Sequence, residues 1–363
     1  MKKALLFAFF ALYGVTLYAN DSLRYRIAQM LVIGFRGTEL TQQNHIYSDV
    51  KNLQVGGVIL FDYDAISKTR GRNITSPEQV KKLCYDLQKL SPNKLIISID
   101  QEGGKVNRLK ASAGFPATVS AQYLGKLNNA DTTRYYAKKT AELLKQLGFN
   151  LNFIPCVDLD VNPDCPVVGK VERSFSANPD IVVKHSRIWI DEHRKQGILT
   201  SPKHFPGHGS SSSDTHLGVT DVTKTWTRKE LIPYQELIKS GECNIIMVSH
   251  VFNRKLDSKY PATLSKKIVD GMIRNDLKFR GLVISDDMAM GAIVDHYSFE
   301  AALEKAINAG VDMLILSNNG RSYDSQVAQK AVDAIEKLVR QNKISELRIN
   351  EAWQRVEEVK RGW

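Results

Sequence analysis

Between Lys203 and His216 the chain reads Lys-His-Phe-Pro-Gly-His-Gly-Ser-Ser-Ser-Ser-Asp-Thr-His, which gathers a Lys, three His and an Asp into fourteen residues. This stretch cannot be a helix, because Pro206 lacks a backbone donor and Gly207, Gly209 and four serines favour irregular backbone. It follows an apolar, partly β-branched run, Gly197 to Thr200. Titratable groups at a strand end that continue into a loop can bind a polar ligand and move its protons. In an extended segment residues two apart project the same way, so Asp214 can orient and polarise the His216 imidazole. Two other uses stay open at this point. His204 and His208 could ligate a metal, although Pro206-Gly207 spoils the helical geometry that an H-x-x-x-H site needs. The serines could also make this a solvated loop with no chemistry.

A second constellation is Asp286-Asp287, at the end of the apolar run Leu282–Ser285. A carboxylate there can serve as nucleophile or general base, and it can equally cap a helix starting near Met288. Adjacent strand residues face opposite sides, so the two aspartates can divide these tasks.

Groups like these need a scaffold that converges them. Eight short apolar runs are spaced along the chain: Met30–Phe35, Gly57–Phe61, Leu95–Ile99, Leu151–Ile154, Gly197–Thr200, Asn244–Val248, Leu282–Ser285 and Met313–Leu316. Most are continuous rather than alternating, as in strands covered on both faces of a parallel sheet. Helical periodicity fills most of the intervals, at Pro77–Leu90, Thr132–Leu147, Asp180–Gln196, Arg228–Lys239, Leu264–Asn275 and Phe299–Asn308, and two amphipathic helices occupy Gln326 to Val359. Ser76-Pro77 starts a helix, and Gly148, Gly197 and Gly310 end helices. The pattern predicts an α/β fold of one domain, a (β/α)₈ TIM barrel. An open doubly wound sheet is the alternative, but no G-x-G-x-x-G follows the first strand. A barrel places its active site at the C-terminal strand ends. Polar residues sit there repeatedly: Asp100, Glu102 and Arg108 after the third run, Asp158, Asp160 and Arg173 after the fourth, then Lys203, His204, His250, Asp286, Asp287 and Asn318.

Composition is that of an ordinary globular protein, 43% apolar and 25% charged, so a sizeable core is available. Residues 1–19 read as a secretory signal peptide, or as an uncleaved anchor: Lys2 and Lys3, an apolar run from Ala4 to Tyr13, and a Leu17-Tyr18-Ala19 end. The expected location is therefore periplasmic or exported, with residues 20–363 as the folded barrel. Losing the two lysines lowers the formal charge from +11 to +9. No basic cluster is interleaved with aromatics, so nucleic acid is not an expected partner. Four cysteines are too few for a disulfide-built scaffold. Cys156 and Cys165 could pair across a short loop or stay buried as thiols, and no CxxC supports a zinc ribbon.

Four segments together resemble family 3 glycoside hydrolases: Asp100-Gln101-Glu102-Gly103-Gly104-Lys105-Val106-Asn107-Arg108, Glu172-Arg173-Ser174-Phe175, the Lys203-to-His216 loop and Ser285-Asp286-Asp287. The resemblance is to the β-N-acetylglucosaminidase subgroup and runs from about residue 25 to the C-terminus. It implies that Asp286 is the nucleophile and that His216, polarised by Asp214, is the general acid/base. Asp100, Arg108, Arg173, Lys203 and His204 match positions that hold the non-reducing GlcNAc. It further implies a retaining, exo-acting hydrolase without metal or organic cofactor, a monomer that takes GlcNAc-containing saccharides such as peptidoglycan fragments. A β-glucosidase-type exohydrolase or a phosphorylase of the same fold is the alternative; a non-catalytic wall-fragment-binding protein and a metal-dependent barrel hydrolase are readings of other classes. Many single-domain members are cytosolic, so the export signal points away from wall recycling and toward trimming outside the cytoplasm.

Overall fold

The computed structural model describes residues 22–362, so the signal-peptide reading lies outside the described residues. Eight parallel strands follow in chain order: β1 Leu31–Gly34, β2 Gly57–Ile59, β3 Ile96–Ile99, β4 Leu151–Asn152, β5 Leu199–Thr200, β6 Ile245–Val248, β7 Leu282–Asp287 and β8 Met313–Leu316. Each lies within or across one of the eight apolar runs. Consecutive strands are paired from β1 to β5 and from β6 to β8, and β8 pairs with β1. The remaining seam is closed beyond the end of β5, where Met247 N donates to Pro202 O (3.1 Å) and Phe205 N to Met247 O (2.9 Å). The sheet is thus a barrel, not an open doubly wound sheet. The first residues of the Lys203–His216 segment form part of its wall.

Alternation divides the strand residues between two cores. Val32, Ile59, Ile96, Ile245, Met247, Leu282, Ile284, Met313 and Ile315 fill the interior, whereas their neighbours face the surrounding helices. The last helix, Glu346–Arg361, sends Val356 into the interior cluster and closes the floor at the N-terminal ends of the strands. Fully burying such a side chain contributes about 1.5–3 kcal/mol. The first helix, Leu23–Gln29, lies against that floor helix, with Arg26 Nη2 2.7 Å from Glu346 Oε1.

The helices lie close to the predicted ranges because their ends are chemically marked. Pro77–Leu90 starts where the Ser76 hydroxyl accepts from Gln79 N (3.2 Å), and Ala130–Leu147 stops at Gly148, at φ 91°. The expected Leu264–Asn275 helix instead runs Lys267–Asp276, because Leu264 belongs to a tight turn and Ser265 Oγ caps the helix by accepting from Ile268 N (3.2 Å). Periodicity did not indicate the short hairpin of Tyr63–Asp64 with Thr69–Arg70 above β2. All four cysteines are buried free thiols, so Cys156 and Cys165 do not pair.

Candidate active site

A polar cavity opens at the C-terminal strand ends, lined by Asp100, Arg108, Arg173, Lys203, His204, His216, Asp286 and Asp287 over an apolar base that includes Phe61, Phe153, Met247 and Ile315. Of the residues to which the family resemblance assigns a role, all but Asp214 are in this lining, and Asp214 stands behind His216.

One wall is a continuous ionic network. Lys203, almost wholly buried, places Nζ 2.6 Å from Asp100 Oδ1 and 2.7 Å from Glu102 Oε1. Arg173 grips the same Glu102 through Nε (2.9 Å) and Nη2 (2.7 Å), and its Nη2 is 3.0 Å from His204 Nε2. Burial alone would raise the Glu102 pKa, yet Arg173 and Lys203 hold it well below the usual carboxylate range. Burial likewise works against the Lys203 cation, but Asp100 and Glu102 raise its pKa. Lys203→Ala removes the cation that Asp100 contacts and leaves Glu102 to Arg173 alone, a broken buried pair that destabilises by about 3–5 kcal/mol. Denaturant unfolding of the variant should show this loss, and a change within 1 kcal/mol would refute the network's structural role. Arg108, across the cavity, lies over the Phe61 ring at 5.7 Å and 3.9 Å from Asp62 Oδ1.

His204 is oriented from behind by Asp158, whose Oδ2 lies 2.6 Å from His204 Nδ1 and whose Oδ1 accepts from His208 N (2.8 Å). Asp158 is fully enclosed; burial opposes its charge, but His204 and His208 hold its pKa well below the usual range. Composition gave Asp158 no role beyond a strand-end position; the Glu102 carboxylate, which the sequence offers to sugar hydroxyls or to a cap, is instead bound by Arg173 and Lys203. The available signal was an Asp embedded in the apolar stretch Phe153–Leu159, which requires a partner inside the protein.

Asp286 and Asp287 have different surroundings. Between Ile284 and Asp287 the pairing with β8 slips by one residue, a bulge of the kind that re-aims side chains beside active sites. Asp287 turns toward β8, accepting from Ser317 N (3.0 Å), Ala289 N (3.1 Å) and the Ser317 hydroxyl. Asp286 accepts from Asp287 N (2.8 Å) and faces the imidazoles. Burial would raise its pKa, but His204, His250 and His216 bring it down to about 2, so it is ionised at neutral pH. His250, a strand-end position without an assigned role in the sequence, donates or accepts at Thr263 Oγ1 (2.8 Å) and lies 2.9 Å from Asp287 O, which fixes its ring beside Asp286.

The loop divides into a packed root and an exposed tip. Gly209 is obligatory, because a Cβ there would sit 1.8 Å from Leu159 O. Ser210 and Ser211 are buried, and Ser211 Oγ meets His208 Nδ1 (2.8 Å) and Cys165 Sγ (3.2 Å). Only Ser212 and Ser213 reach the surface, so the four serines are not uniform slack. At the tip, Asp214 Oδ1 bonds both His216 N (2.8 Å) and His216 Nδ1 (2.7 Å). Desolvation lowers the His216 pKa, but the Asp214 contact and the nearby Asp286 and Asp287 charges raise it overall. The tip is docked onto the segment after β7 through Ala292 N to Thr215 O (3.0 Å) and Gly291 N to His216 O (3.2 Å).

The three loop histidines do not converge as metal ligands. His208 points to Ser211 and Thr215, and His216 to Asp214. Among the described residues, Cys156, Asp158 and His204 bring three donor atoms within 4.8 Å. Asp158 already accepts from His204 and His208, and the Cys156 thiol donates to the same carboxylate (3.2 Å). This cluster is a hydrogen-bond network.

A closed (β/α)₈ barrel with an ionised carboxylate, a polarised imidazole and a sugar-sized array of hydrogen-bonding groups at its mouth has the architecture of a glycoside hydrolase. Residues 22–359 match the N-terminal domain of glycosyl hydrolase family 3. The β-hexosaminidase of Nitrosomonas eutropha is 32% identical over 303 residues, 81% of this chain and 82% of that protein. That of Pseudomonas aeruginosa is 30% identical over 314 residues, 85% and 86% of the two chains. The family 3 β-N-acetylglucosaminidase of Paenibacillus sp. superposes with a TM-score of 0.84 at 30% identity, covering 94% of this chain and 62% of that longer one. The chain belongs to glycosyl hydrolase family 3.

Proposed function

We propose that this β-hexosaminidase is an exo-acting, retaining enzyme that removes terminal non-reducing GlcNAc from peptidoglycan fragments. The observation that carries the reading is the pairing, in one cavity, of ionised Asp286 with a His216 whose pKa Asp214 raises. In the first displacement an Asp286 oxygen bonds to the anomeric carbon while His216 gives its proton to the departing glycosidic oxygen. In the second, His216 takes a proton from water, whose oxygen displaces Asp286 and restores the original anomeric configuration. The carboxylate of Asp214 stabilises the imidazolium form in the first step. Asp100, Arg108, Arg173, Lys203 and His204, which line the same cavity, hold the sugar hydroxyls.

The productive state for the first step is Asp286 ionised and His216 protonated. The first step, read as kcat/KM, should therefore fall toward pH 2 on the acid side and persist past pH 6.5, the ordinary histidine value, on the other. Asp214→Asn should move the alkaline limb to lower pH; a kcat/KM profile with an unmoved limb would remove Asp214 from this role. Hydrolysis of aryl β-GlcNAc but not aryl β-glucoside, unaffected by added phosphate, tests the substrate class and separates hydrolysis from phosphorolysis. The basic, apolar start of the chain supports export, so we place the reaction outside the cytoplasm; recovery of the activity solely from the cytosolic fraction would overturn that placement.

A further inference from the structure

Behind the loop root lies a carboxyl that the proposed reaction does not use. Glu230, in the tight turn Arg228–Leu231, is 1% exposed. It backs directly onto Gly207, at φ 123°, where a Cβ would sit 2.6 Å from Glu230 Cβ and 2.7 Å from its Oε2. The neighbouring Trp226 Nε1 donates to Pro206 O (2.9 Å), so this turn and the loop root are joined at two points. Ser210 turns its hydroxyl and amide toward the carboxyl, yet neither Glu230 oxygen nor the Ser210 hydroxyl has a hydrogen bond of sound geometry. The titratable groups facing Glu230 are Asp158, beyond β4, and the buried Tyr234 on the following helix; Asp158 is itself committed to His204 and His208. No Lys or Arg is among them. A carboxylate buried against another carboxylate and without a cation is strongly disfavoured, so this geometry selects the neutral acid.

We propose that Glu230 is a positioning residue for the catalytic loop: as a neutral acid it seats the Pro206–Ser210 root, and its ionisation unseats that root and, with it, His216. The inference rests on the reading of His216 as acid/base. Burial, reinforced by Asp158 and opposed by Ser210 and the Thr227 amide, raises the Glu230 pKa to about 7, which places the switch within the working range. The sign follows from the raised value. The folded state keeps the proton longer than the unfolded chain, so seating is complete at low pH and weakens as pH rises through about 7.

The test is hydrogen exchange of residues 207–216 at pH 6 and pH 8 in the whole protein, corrected for the intrinsic pH dependence of exchange. Wild-type exchange should rise about tenfold, following the ionised fraction of a group that titrates midway. Glu230→Gln, neutral throughout, should hold the loop at its pH 6 level at both values. Glu230→Ala should exchange fast at both and lower kcat with little change in KM. Equal pH-dependent rises in wild type and Glu230→Gln would overturn the proposal. A flat Glu230→Gln response, with His216→Ala lowering kcat/KM equally for good and poor leaving groups, would uphold the seating and overturn the acid/base reading instead.

Discussion

Asp286→Ala and Asp286→Asn should abolish turnover, lowering kcat by on the order of 10⁴- to 10⁶-fold, the range seen when a nucleophilic group is removed from a working constellation. The effect is this large because no nearby group can substitute. Asp287 is turned away to Ser317 and Ala289, and its pKa is raised, chiefly by burial. The remaining candidate carboxylates, Asp100 and Glu102, are bound to Lys203. A 2-fluoro sugar should label the wild-type peptide containing Asp286 and leave both variants unlabelled. Because three imidazoles hold the Asp286 pKa down, its charge also stabilises the fold at neutral pH, a contribution lost as pH falls toward 2. Turnover is therefore compared at a temperature where circular dichroism shows the variants folded. Retention of a tenth of the activity in folded Asp286→Asn would end its assignment as nucleophile.

His216→Ala should reveal itself by a contrast between substrates. General acid catalysis is worth about 10²–10⁴-fold where the leaving group needs a proton. An alkyl or saccharide aglycone should lose that factor, whereas an aryl aglycone with an acidic phenol leaves unaided in the first step. With such an aryl substrate the second step becomes limiting, because no base activates water, so the glycosyl-enzyme accumulates and a burst of phenol precedes slow turnover. His216 is exposed and touches the fold through Asp214 and the Gly291 amide, so its removal should leave the unfolding midpoint nearly unchanged. Equal losses of kcat/KM with good and poor leaving groups would sink the acid/base role.

The barrel was legible because parallel strands buried on both sides leave continuous apolar runs, and Met313–Leu316 coincides residue for residue with β8. The strand-end rule then sufficed to gather Asp100, Lys203, His204 and Asp286 into one cavity. What the sequence obscured were partnerships between residues far apart in the chain. Asp158 meets His204 across 46 positions, and Glu102 meets Arg173 across 71. Ser210 and Ser211 look like solvated filler, but both are buried, and the partners of Ser211 include Cys165 and Asn162, whose proximity only the folded chain creates. Glu230 is likewise hard to tell in sequence from the surface glutamates, because residues distant in the chain, Gly207 and Asp158 among them, face it only once the barrel has folded.

The helix that stoppers the barrel has a consequence for orientation. Because Leu23–Gln29 lies against Glu346–Arg361 beneath the strands, the chain enters the barrel at the pole opposite His216 and Asp286. Any tether attached ahead of Ser22 would hold the protein by its base, with the mouth directed outward. A surface-held copy could then take the ends of free saccharides without turning over, whereas a tether on the mouth side would have to be cleared before each substrate entered.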